Sequence, residues 1–173
     1  QGYVGLPGVP RELQNLEATY GASVLRDTNF KRDDLKEKLT SADYSIVHIA
    51  THGHFDSNPQ ESYLLTYDDK LTMDLLEESI GNRKNVGEPL ELLVLSACET
   101  AAGDSRAALG LAGVALKAGA RSAVATLWQI SDAATVEIID TFYEYTAKEG
   151  VTKARAMQLA QIRLIEQPRF QHP

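Results

Sequence analysis

Two side chains in this sequence could form a nucleophile and its base. One is Cys98, the only cysteine among 173 residues; the other is His52, one of four histidines. Cys98 follows an apolar run, Leu92 to Leu95, and the small residues Ser96 and Ala97. That spacing places it just past the end of a buried strand and ahead of an Ala-rich helix beginning near Arg106. Reactive groups of α/β sheets sit at such strand exits. The competing use of a lone cysteine is as a small buried hydrophobe. His52 stands just beyond a second strand-like run, YSIVHIA over 44–50. Parallel strands of one sheet share the edge at which they end, so His52 and Cys98 are expected on the same side of the molecule. A thiol attacks as the thiolate and needs a base or a positive field. A histidine in reach can take the thiol proton or protonate a leaving amine. Gly53 adds no side chain beside that histidine, so its N–H can approach a carbonyl oxygen. With the amide of Cys98 it could form an oxyanion hole.

The remaining histidines raise a metal reading. T-H-G-H-F-D, residues 51–56, looks like the H-x-H-x-D motif of metallo-β-lactamase-type hydrolases. That motif continues into another histidine, where Ser57 stands here. A catalytic zinc takes three protein ligands, and downstream the only histidine is His172. Asp or Glu would have to complete the set, so no metal is expected, and nucleophilic chemistry by Cys98 and His52 needs no cofactor. His48 falls mid-strand and reads as a buried histidine bonded to backbone; His54 either lines the cleft or is a solvated loop residue. Trp128 follows a predicted strand, Arg121 to Leu127, and reads as a core residue or as a pocket wall. Asp132, four residues on, could bind a basic substrate side chain or simply place charge in the first turn of its helix. Glu99 and Asp104 could orient a substrate amine or serve as loop solvation, and Arg106 and Arg121 read as surface residues. The phosphate-binding patterns G-x-G-x-x-G and G-x-x-x-x-G-K-[ST] are absent, as is the G-x-S-x-G of serine hydrolases.

The elements that must position these residues follow from hydrophobic patterning. Residues 2–10 are rich in Gly and Pro and read as a loop, with Pro10 opening a helix to Tyr20. Ala22 to Arg26 is expected as a short strand, and Phe30 to Thr40 as a charged helix capped by Thr28 or Asn29. Tyr63 to Tyr67 and Lys70 to Thr72 flank Asp68-Asp69 as a hairpin, followed by a helix from Met73 to Ile80 and a polar loop, Gly81 to Pro89. Ala107 to Ala118 is predicted helical, stopped at Gly119. Ser131 is the candidate cap of a helix over Asp132 to Thr146, and Thr152 to Glu166 forms the last one. Alternating strands and helices predict a three-layer α/β/α sandwich around a mostly parallel sheet. The length suits one domain. Seventeen Lys+Arg against 24 Asp+Glu, net −7, argue against nucleic acid as partner. No apolar run approaches the ~20 residues of a membrane span, and no apolar signal segment opens the chain. A single cysteine excludes an internal disulfide and fits a reducing, cytoplasmic location.

Four blocks occur together and in order: HIATHGHF (48–55), LLVLSACETAAGD (92–104), GLAGVALKAGARSAVATLWQISD (110–132) and DAATVEIIDTFYEY (132–145). Over about Leu13 to Pro173 the chain resembles the CHAT family, caspase-like domains often attached to tetratricopeptide (TPR) repeats. The family stands with caspases, separases and gingipains, cysteine peptidases using a His–Cys dyad. The resemblance implies a caspase-like fold and matches His52 to the catalytic histidine and Cys98 to the nucleophile. Their 46-residue separation is similar to the spacing of about 50 in caspases. It further implies a protein or peptide substrate cleaved at limited sites, under the control of a partner or of a TPR-type repeat region. TLWQISD is similar to the Trp-containing block of separases, where an acidic residue binds a substrate arginine, the role that would fall to Asp132. The alternative function is a non-enzymatic signalling or scaffold module on the same fold. The chain begins on Gln1 and is expected to be one domain, residues 1–173, cut from a longer protein. Family members continue into a final strand with Trp and Phe, so an edge strand is expected to be missing.

Overall fold

In a computed structural model the chain is described at residues 3, 5–41, 43–54, 56, 58–82, 89–99, 113, 115–126 and 130–170, with 59 and 97–99 described by their backbone. These residues form two compact units, Leu25–Gln129 and a second made of Gln1–Val24 with Ile130–Pro173.

The first unit holds a five-stranded sheet. Its strands are β1 (Ile46–His54), β2 (Tyr63–Leu65), β3 (Lys70–Thr72), β4 (Leu92–Glu99) and β5 (Ala123–Ala125). Their spatial order is β3-β2-β1-β4-β5. β1, β4 and β5 pair in parallel, while β2 pairs antiparallel with both β1 and β3. Four of the five strands thus run one way, and the mixed α/β class agrees with the fold expected from the patterning and from the caspase-like resemblance. Side chains alternate along a strand, and the core follows that period. Val47 and Ile49, Leu64, Leu71, and Leu93 and Leu95 occupy one face. They pack with Leu35 and Leu39 of α2 (Arg32–Ser41) and with Met73, Leu76 and Ile80 of α3 (Met73–Gly81). Every residue from Leu92 to Ser96 is buried, the pattern of a strand covered on both faces.

Local signals set the helix ends. Thr72 closes β3 and caps α3, its hydroxyl accepting the Leu75 N–H. Helical residues at 113 and 115–117 stop at Gly119, whose φ of +103° is costly for any residue with a Cβ; the rest of that predicted helix and the loop over 83–88 lie outside the described residues. The hairpin forms, its first strand ending at Leu65 instead of Tyr67, and is tied to α2. The Tyr67 N–H donates to the Phe30 carbonyl, the Arg32 N–H to Asp68, and the Arg32 guanidinium pairs with Asp69.

Two expectations are corrected here. Residues 22–26 form no strand; Leu25 packs against the hydrophobic core instead, a contact that outweighs weak strand propensity. The charged helix begins at Arg32, not Phe30, because residues 27–29 form a separate 3-10 turn.

The second unit is helical. α1 (Val9–Tyr20) packs on α4 (Asp132–Thr146), and α4 on α5 (Lys153–Ile165). Ser131 and Thr152 cap α4 and α5, accepting the N–H of Ala134 and Arg155, both at 3.2 Å. Leu16, Val136, Ile139, Phe142, Tyr143, Ala156 and Ala160 are buried. The Tyr20 hydroxyl donates to the Tyr143 carbonyl at 2.9 Å, and the two rings meet edge to face at 5.4 Å.

Candidate active site

The site is set by the β1–β4 ladder. Eight rungs run from Ile46↔Leu92 to Gly53↔Glu99, and the seventh pairs His52 with Cys98. Neighbouring strands lie about 4.8 Å apart, and residues on one rung of a parallel ladder occupy equivalent positions of the pleat. The two residues named by their chemistry are therefore side by side at the C-terminal ends of adjacent parallel strands.

Both sit inside their strands, which corrects the expectation that they lie just beyond them. β1 continues through His54 and β4 through Glu99. The physical cause is pairing on both sides of β1. While β4 ladders along one flank, Gly53 pairs with Leu64 and His54 with Tyr63 of β2 on the other. The Thr51 hydroxyl donates to the Leu65 carbonyl at 2.7 Å, tying the same stretch to β2. A short turn follows, in which the Asp56 N–H donates to the Ser62 hydroxyl and the Asn58 N–H to the Asp56 carboxylate. The end of β1 is held by hydrogen-bonded neighbours instead of projecting as a loop.

His52 is half-buried and its Nδ1 is enclosed. Gly53 is buried between Leu64 and Glu99, so its amide belongs to a strand flanked on both sides. His48 is further from the edge, on the rung of Val94, with its Nε2 enclosed. His54 is half-buried and stacks on Tyr63, ring centroids 5.3 Å apart and planes 27° from parallel. Among the described residues no group of three or more His, Cys, Asp or Glu side chains is arranged to hold a metal ion.

Asp132 is the first residue of α4, in the helical unit, and its carboxylate accepts the Gly8 N–H at 2.5 Å. Arg121 pairs with Glu91 at 2.7 Å on the surface. Trp128, Asp104, Arg106 and His172 lie outside the described residues, and of Glu99 and Cys98 the backbone alone is described. Tyr63, paired with His54, flanks the end of β1.

No helix among the described residues is long and apolar enough to cross a membrane. A search of curated proteins found no match. The CHAT domain family, by contrast, matches residues 2–173, spanning both structural units. With the histidine and the cysteine on one rung of an α/β sheet, the chain belongs to the CHAT domain family, a caspase-like family related to cysteine peptidases.

Proposed function

We propose that this chain is a cysteine endopeptidase using Cys98 and His52 as a dyad. The observation that carries the reading is the shared rung of those residues at the edge where parallel strands end. In the first step the Cys98 thiolate adds to a peptide carbonyl carbon, and the oxyanion falls to the Cys98 amide and to that of Gly53, which exchanges its place in the flanked strand for the substrate oxygen. The C–N bond then breaks as His52 gives its proton to the leaving amine, producing an acyl-enzyme and a new N-terminus. Water adds to the thioester, His52 takes a proton from it, and the acid leaves with return of the thiol. Every atom in this sequence comes from the peptide, water and the dyad, so no cofactor is invoked. Trp128 and Asp132 are assigned to substrate binding, with Asp132 selecting a basic residue before the scissile bond. We place the protein in the cytoplasm and assign control of its activity to a partner or an attached TPR-type repeat region, as the family suggests.

The single cysteine makes the test simple. Iodoacetamide alkylation is followed by intact mass from pH 5 to 9, for the wild type and for His52→Ala. A working dyad labels quickly well below ~8.5, the pKa of a free thiol, and slows in His52→Ala. Slow labelling with the same pH dependence in both proteins would sink the dyad and favour a scaffold module.

A further inference from the structure

We propose that His54, Tyr63 and Lys70 form a specificity element that binds a carboxylate side chain of the substrate, three to four residues from the scissile bond; this rests on the peptidase reading above. Residues 52 and 54 share one face of β1, since side chains alternate along a strand. His54 pairs across β1–β2 with Tyr63, and Tyr63 across β2–β3 with Thr72, so Lys70, two residues before Thr72, lies on that same face. The contacts agree with this placement. The His54 ring stacks on Tyr63 at 5.3 Å, and the Lys70 ammonium lies 4.0 Å from the centroid of the same ring. An imidazole, a phenol and an ammonium thus form a column across three strands, leading away from the rung of His52 and Cys98.

The charge of Lys70 is available to a ligand. Its nearest acids in sequence are turned elsewhere. Asp68 accepts the Arg32 N–H and the Thr66 hydroxyl, both at 3.0 Å. Asp69 pairs with the Arg32 guanidinium and accepts the backbone N–H of Lys70 itself at 2.7 Å. Among the described residues no carboxylate pairs with the Lys70 ammonium; the Tyr63 ring is what positions it. A cation–π contact steers an ammonium without neutralising it, and three donors remain for an acceptor. Such a cation stands out in a chain of net charge −7. From the Cys98 rung to Tyr63 is about 12 Å, taking ~4.8 Å to β1, ~5 Å to β2 and two residues of strand rise, which an extended peptide covers in three to four residues.

The test uses peptidyl acyloxymethyl ketones, in which the Cys98 thiolate displaces the acyloxy carboxylate and leaves a thioether. Each pair of probes carries Glu or Gln at the third or fourth residue from the reacting carbon, Ala elsewhere, and a mixture of Arg, Leu and Asp next to that carbon. Rates are read by intact mass, with Cys98→Ala as the blank. The expected result is two- to fivefold faster labelling by the Glu probe at one of those positions, the range of an exposed ion pair. That ratio should fall to one in Lys70→Gln and below one in Lys70→Glu. Equal rates for Glu and Gln in the wild type, or a Glu preference that survives Lys70→Gln, overturn the specificity element and leave the dyad standing. Absence of Cys98 labelling by every probe, when iodoacetamide also fails to distinguish wild type from His52→Ala, overturns both.

Discussion

Replacing Gly8 by alanine should destabilise the helical unit by about 2–4 kcal/mol, more than the ~1 kcal/mol that alanine typically costs at a helix N-cap. Gly8 is the N-cap of α1, with φ −78° and ψ −27°, a conformation open to any residue. Backbone strain therefore contributes nothing, and the cost comes from space. A Cβ there would lie 2.4 Å from Val136 Cγ2 and 2.6 Å from Asp132 Oδ2. Asp132 cannot simply swing aside, because its carboxylate accepts the Gly8 N–H, a charge-assisted bond of roughly 1.5–3 kcal/mol. Val136 is buried in α4, where a β-branched side chain has one strongly preferred rotamer. Overpacking of this kind costs about 1–3 kcal/mol, and partial loss of the charged hydrogen bond adds to it. At about 2–4 °C per kcal/mol for a chain of this size, thermal unfolding should come roughly 5–15 °C earlier. A double-mutant cycle identifies the cause. With Val136→Ala in the background, one clashing methyl is gone, and Gly8→Ala should cost at least ~1 kcal/mol less, outside the ~0.5 kcal/mol scatter of independent sites. A wild-type penalty below ~0.5 kcal/mol, or strict additivity with Val136→Ala, would refute the reasoning.

Two further predictions concern stability. Burial, reinforced by the nearby Glu12 carboxylate and by Tyr20, pushes the Tyr143 phenol above the usual tyrosine value near 10. A raised folded-state value means that this contribution is whole below pH 10 and declines above it, by up to ~1.4 kcal/mol per pH unit. Urea unfolding between pH 10 and 11.5 should therefore show a shallower alkaline decline in Tyr143→Phe than in the wild type, and parallel declines would count against it. Leu64 is fully buried, lies beside Gly53 on β2, and packs in the sheet core. Leu64→Ala should cost about 2–5 kcal/mol in chemical unfolding; a loss below ~1 kcal/mol would mean that this flank of β1 is not a packed support.

Much of the local structure could be read from residue types alone. Ser131 stands as a hydroxyl ahead of a periodic helix and does cap it, and Gly119 ends a helix where its missing Cβ allows a positive φ. The apolar run ahead of Cys98 is a strand buried throughout its described part, and the two strand-like runs that carry His52 and Cys98 are neighbouring parallel strands. These features depend on contacts within a few residues, or on a period that one strand or helix carries by itself.

Other features belong to the tertiary structure. The rung that joins His52 to Cys98 is a register between segments 46 residues apart, and register depends on how both strands pack. The strands outlast their expected ends because β2 and β4 flank β1 together, a pairing that no single stretch encodes. Asp132 illustrates the same limit. The hydrogen bond that engages its carboxylate comes from Gly8, 124 residues away, a partner that no neighbouring residue announces. The column of His54, Tyr63 and Lys70 likewise exists because two antiparallel pairings bring three short strands into line. Residue types supplied the chemistry; non-local pairing decided which groups stand next to one another.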